Sequence, residues 1–165
     1  MPRRPAIRLG IGLGGLWGVA LVWAGTVWIN IPIFSYLWTL ALAFLFPGLV
    51  LAVMIGRLAQ RRFFDDSIID GQPFAPGSAA DIDARVLQNT VEQLVLALAL
   101  WPVTGYVLAI DGPGVVLSLG IGFAIARLAF WIGYHISPPL RAFGFAATFY
   151  PTLIAVVWAV LWWLL

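Results

Sequence analysis

Residues 9–56 read LGIGLGGLWGVALVWAGTVWINIPIFSYLWTLALAFLFPGLVLAVMIG, 48 consecutive positions without Asp, Glu, Lys, Arg or His. As one helix this stretch would be about 72 Å long at ~1.5 Å per residue, more than twice a bilayer core of about 30 Å. It must therefore cross an apolar phase twice and turn back between the crossings. Asn30-Ile31-Pro32 is the natural turn, because Pro32 lacks a backbone donor and pushes Ile31 out of the helical region. That predicts helices over about 9–30 and 33–56. Pro47-Gly48 falls inside the second and is expected to kink it, since ending the helix there would leave two pieces too short to span.

The rest of the chain agrees. Of 165 residues, 62% are apolar and 10% charged, with a mean hydropathy of +1.00, whereas soluble domains carry about 25% charge. This composition excludes a soluble globular enzyme and a disordered chain. A net charge of +2, scattered along the chain, excludes nucleic acid as a partner. Cysteine is absent, so there is no disulfide, thiolate metal site or protein thiol nucleophile, and any sulfur chemistry must use the sulfur of a ligand. One histidine, His135, and no cluster of His, Asp and Glu lead us to expect no metal site.

From Arg57 to Asp83 the character changes, with three Arg, five Asp and the turn-forming run Asp70-Gly-Gln-Pro-Phe-Ala-Pro-Gly-Ser. An aqueous loop over 57–82 is expected, with Asp81 capping the next helix and Asp83 in its first turn. A third span follows over about 83–108, running through Pro102. The turn Asp111-Gly-Pro-Gly114 leads to a fourth span over about 114–135, which Ser137-Pro-Pro139 stops. A fifth covers about 141–165. The expected architecture is all-α, a single integral membrane helix bundle over residues 1–165.

Arg3, Arg4 and Arg8 precede span one, Arg57, Arg61 and Arg62 follow span two, and Arg141 lies between spans four and five. On the positive-inside rule these ends face the cytoplasm, with the N-terminus inside and the C-terminus outside. The expected location is the inner membrane of a bacterium. The first span is expected to stay uncleaved, because it exceeds a signal-peptide core and lacks a small-residue cleavage site. Gly10-Ile-Gly12-Leu-Gly14-Gly15 imitates a dinucleotide-binding pattern, but no strand precedes it. Gly14-x-x-x-Gly18 reads instead as a close helix-packing surface.

Ionisable groups inside spans cost at least about 2.5 kcal/mol each on insertion scales and mark function by default. Arg85, Asn89 and Glu92 recur at i, i+4 and i+7 on one face of span three, and Arg127, Phe130 and Tyr134 at i, i+3 and i+7 on span four. At ~1.5 Å per residue, Glu92 and Arg127 lie at matching depth. They are expected to pair, with Asn89 taking leftover hydrogen bonds. Such a pair fits a purely structural clamp between helices as well as a ligand site. Arg85 and Arg141 each stand near a helix N-terminus, where a cation is disfavoured. Asp81 and Asp83 are local partners for Arg85. Arg141 has no acid nearby in sequence, which suits either a bound anion or a simple topological anchor. Tyr134 equally suits an aromatic belt.

The run Arg85-Val-Leu-Gln-Asn89-Thr-Val-Glu92 resembles the Arg-x-x-x-Asn-x-x-Glu signature of the MAPEG family, the membrane-associated proteins in eicosanoid and glutathione metabolism. Ala126-Arg127-Leu-Ala-Phe-Trp-Ile-Gly133-Tyr134, followed by Pro138-Pro139-Leu-Arg141, is similar to the end of that family's third helix and the start of its fourth. The resemblance covers about residues 33–165 and leaves the first span as an addition to the usual four. It implies a homotrimer binding glutathione between subunits near the cytoplasmic face. Arg85, Asn89, Glu92, Arg127 and Tyr134 would hold glutathione, Arg141 would activate its thiol, and the co-substrate would be a lipophilic electrophile from the membrane lipid phase. Phe130 departs from the Tyr or His of other members and loses one polar contact, and Leu87 and Gln93 also differ. Some members bind lipid or scaffold partners without catalysis, so that alternative stands beside the transferase. A small transporter with a Glu92–Arg127 charge relay is a third reading, although no inverted repeat is visible.

Overall fold

The computed structural model describes residues 3–165. Five long helices run up and down: α1 Arg3–Val27, α2 Tyr36–Phe63 after a short 3-10 turn at Ile33–Ser35, α3 Ala79–Val107, α4 Gly112–Ile136 and α5 Pro138–Leu164. All five are long and apolar enough to cross a membrane. Pro47, Pro102 and Pro151 lie within helices that continue past them.

The expected spans are all present, and the helices outrun them at the charged end. The α2 helix continues through Arg57, Arg61 and Arg62 to Phe63, so the loop is 64–78 rather than 57–82. Apolar length measures the membrane, whereas a helix ends where its backbone finds a cap. The cap of α3 is Ser78, not Asp81: Ser78 Oγ accepts from the Asp81 backbone N–H at 3.1 Å. Asp81, three residues on, accepts in turn from the Gly77 N–H at 2.8 Å, a reciprocal pair of the capping-box kind.

The most buried helix is α4. It carries Val115, Val116, Leu119 and Phe123 into a core shared with Ala43, Ala97 and Trp101. Trp101 stacks on Phe44 with centroids 5.3 Å apart and donates its indole N–H to Thr152 Oγ1 at 3.1 Å. A second cluster nearer the arginine-bearing end joins Val50, Met54, Val86 and Phe130.

The additional helix α1 lies parallel to α5. A Cβ on Gly10 would strike the Pro139 carbonyl oxygen, one on Gly14 would strike Ala146, and one on Gly18 would come within 3.1 Å of the Pro151 nitrogen. The expected Gly14-x-x-x-Gly18 surface is therefore part of a longer ridge, beginning at Gly10, that brings two backbones together. Gly25 meets Val115 and Ser118 near the start of α4. The outward face, with Leu9, Leu13, Leu16 and Val19 exposed, suits lipid.

Candidate functional site

The site grows from one corner, where Ser137 both ends α4 and precedes Pro138, the first residue of α5. Gly133 leaves room for the Arg141 backbone, and Gly144 for the backbone of Phe130. The two helices consequently approach closely enough for a side chain of α4 to use α5 backbone as a partner.

That side chain is Arg127, which is fully buried. Its Nε donates to Thr148 Oγ1 at 3.0 Å, Nη2 to the Gly144 carbonyl at 3.1 Å and Nη1 to Asn89 Oδ1 at 2.9 Å. Its guanidinium carbon sits 4.2 Å over the Phe130 ring. Phe130 meets Tyr134 edge to face at 5.0 Å, and the Arg141 guanidinium carbon lies 4.9 Å from the Tyr134 centroid. Two cations thus bracket an aromatic pair. Among the described residues no carboxylate lies within ion-pair distance of either. A buried guanidinium satisfied only by neutral acceptors keeps its full charge uncompensated.

Asn89, Tyr134 and Arg141 come together in one cleft of about 430 Å³, with Ile11, Phe130, Ala142 and Phe145 as its other walls. The remaining expected residues are placed differently. Glu92 does not pair with Arg127. It accepts from Asn89 Nδ2 at 3.2 Å and Gln88 Nε2 at 3.0 Å, and is exposed. Asn89 is therefore the bridge, with its oxygen toward the cation and its amide toward the acid. The residue of α3 that reaches the guanidinium is Asn89, one turn before Glu92. Arg85 is exposed and bound to Asp81 at 2.9 Å, so its dipole conflict is resolved locally and requires no anion. Arg85, Gln88 and Glu92 form an exposed polar strip on a helix that is otherwise apolar enough to span.

A second polar knot was missed. Asp83, expected in a helix first turn and as a partner for Arg85, is instead buried and accepts from Arg61 Nε and from Trp131 Nε1 at 2.8 Å, and it also bonds His135 Nε2 at 3.0 Å. It ties the ends of α2 and α4 to the start of α3. Arg61 is thus not simply solvated, and Arg62 anchors the loop through the Ile68 carbonyl at 3.0 Å and the face of Phe74 at 4.3 Å. Sequence spacing offers no signal for this knot, because its members come from three helices. Ile11 and Phe145 were missed for a different reason: an apolar residue lining a cleft has the same chemistry as one facing lipid.

No curated protein and no solved structure matches the chain. The profile of the MAPEG family matches residues 35–161, which begins just before α2 and leaves α1 outside. With that match spanning most of its length, the chain belongs to the MAPEG family.

Proposed function

We propose that this protein is a membrane-embedded, glutathione-dependent transferase or peroxidase/isomerase acting on a lipophilic electrophile, and that it works as a homotrimer with its arginine-bearing end in the cytoplasm. The observation that carries the reading is the pair of arginines, Arg127 and Arg141, joined through Phe130 and Tyr134 beside a cleft and without an acidic partner among the described residues. Glutathione fits that need: it is anionic overall, and its amides and ammonium suit Asn89 and Glu92. Family membership favours the same cosubstrate.

When bound, glutathione supplies a thiol whose conjugate base is a nucleophile. The work of the chain is to favour that base. Arg141, oriented by the ring of Tyr134, places a positive charge at the cleft wall. Each unit by which a site lowers a thiol pKa from ~8.5 corresponds to about 1.36 kcal/mol of preference for the thiolate. Arg127 adds positive potential from behind Asn89 and holds that amide in one orientation. The exposed strip of Arg85, Gln88 and Glu92 is too polar to face lipid and supports a neighbouring subunit as its cover.

The apolar share of the cleft, Ile11, Phe130, Ala142 and Phe145, also favours a non-catalytic lipid-binding member. Titrating purified protein in detergent with glutathione, while following the ultraviolet thiolate band, separates the two. Binding with a thiolate band at neutral pH, lost in Arg141→Ala, is expected of the enzyme. Absence of binding, or binding with no thiolate, supports the lipid-binding reading. A transporter relay from Glu92 to Arg127 finds no direct contact to run on.

A further inference from the structure

We propose that α1 is a built-in wall of the cleft that determines which lipophilic chain the site accepts, with Ile11 as the specificity-determining residue and Gly15, one turn on, adding no side chain against Tyr150. This inference rests on the glutathione reading and deepens it by locating the second substrate.

Four observations lead to it. First, α1 lies outside the region matched to the family, so whatever it adds to the cleft is an addition to the matched four helices. Second, Ile11 lines the same cleft as Asn89, Tyr134 and Arg141, and the residue before it, Gly10, is pressed on the Pro139 carbonyl. Pro139 is two residues from Arg141, so the helix that bears Ile11 is registered against the turn that bears the cation. A ridge of three glycines on the α5 backbone leaves little play in that register.

Third, the cleft that holds Asn89, Tyr134 and Arg141 also has apolar wall from Ile11 of α1 and from Ala142 and Phe145 of α5. From Phe145 an aromatic track continues along α5, where Phe145 stacks on Phe149 with centroids 5.9 Å apart and Phe149 meets Tyr150 at 6.0 Å. Such a surface gains about 25 cal/mol per Å² of apolar area covered, and Phe145 and Phe149 have no polar group to desolvate.

Fourth, Gly15 lies one turn beyond Ile11 on the same face. Unlike Gly10, Gly14 and Gly18 it is not needed for close approach: a Cβ there would meet only Tyr150 Cδ2 within reach, at 3.9 Å, an ordinary contact. Gly15 therefore adds no side chain against Tyr150, and a larger residue there would crowd the surface next to Ile11. A chain attached to the reacting atom near Arg141 would pass Ile11 and lie along Phe145.

The test uses S-alkyl glutathiones of increasing chain length, from methyl to decyl, binding to the full chain in detergent by calorimetry. Affinity should rise with each methylene, by up to about fourfold where the carbon is fully buried, and then level off. Ile11→Trp and Gly15→Leu should bring the plateau several carbons earlier and weaken the decyl compound at least tenfold, with S-methylglutathione within twofold of the parent. Ile11→Ala should move the plateau to longer chains. Leu16→Trp, on the exposed outer face, should change nothing. Identical chain-length profiles in all variants, with S-methylglutathione still bound, overturn the role of α1 and leave the glutathione reading standing. If S-methylglutathione does not bind the parent protein, the glutathione reading fails and this inference fails with it.

Discussion

Arg127 donates to Asn89 Oδ1 at 2.9 Å, and Asn89 in turn donates to Glu92, so that a buried cation and an exposed carboxylate communicate only through a neutral amide. Removing Asn89 therefore deprives a fully buried guanidinium of one of its three acceptors, while removing the charge of Glu92 does not. Hydrogen bonds to charged groups contribute about 1.5–3 kcal/mol. Asn89→Leu should lower stability by that amount in thermal unfolding in detergent, and Glu92→Gln by less than about 1 kcal/mol. Equal losses would mean that Glu92 neutralises Arg127 directly.

The corner between α4 and α5 yields a contrast between glycines. A Cβ on Gly144 meets the Phe130 backbone, so Gly144→Ala must push the helices apart and strain the Arg127 bond to the Gly144 carbonyl. Overpacking of this kind costs about 1–3 kcal/mol. In α2, Gly48 has nothing within 4 Å of an added Cβ, and Gly48→Ala should instead stabilise by up to about 1 kcal/mol through helix propensity. Melting temperatures of the two variants should move in opposite directions.

Hydropathy made the five crossings legible because apolar length is a property of sequence alone. The pairing of the polar groups was not legible in their spacing. Glu92 was expected to meet Arg127, yet it is the shorter side chain of Asn89, one turn earlier on α3, that accepts from the guanidinium. Phe130 reads in sequence as a lost polar contact, whereas in three dimensions its ring face receives Arg127 at 4.2 Å. The Asp83 knot and the Ile11 wall could not be read at all, since each depends on how helices distant in sequence are rotated against one another.

Phe130 therefore contributes through its ring. Phe130→Leu keeps the apolar volume near Val50, Met54 and Val86 but removes the cation–π contact, worth about 2 kcal/mol when desolvated. It also removes the edge on which Tyr134 rests. We expect reduced stability together with weaker glutathione binding, read by calorimetry, because Tyr134 no longer holds the Arg141 guanidinium in place. A variant that melts lower but binds glutathione unchanged would show that Arg141 is oriented by something other than Tyr134.

Two aspartates two residues apart on α3 should differ sharply in what their loss costs. Asp81 is partly exposed and joins Arg85 in an i, i+4 pair that solvent screens, so the pair adds little. It also accepts the Gly77 N–H at the start of the helix. Asp83 is buried, and its loss leaves the partly buried Arg61, the Trp131 indole N–H and His135 without their shared acceptor. Breaking a buried pair costs about 3–5 kcal/mol. Asp83→Ala should thus be severely destabilising and should also free the end of α2 from the start of α3, increasing protease cleavage within residues 64–78 under native conditions. Asp81→Ala should cost less than half as much and leave cleavage near the parent rate. The ratio of the two cleavage rates measures whether the knot, rather than the helix cap, holds the loop in place.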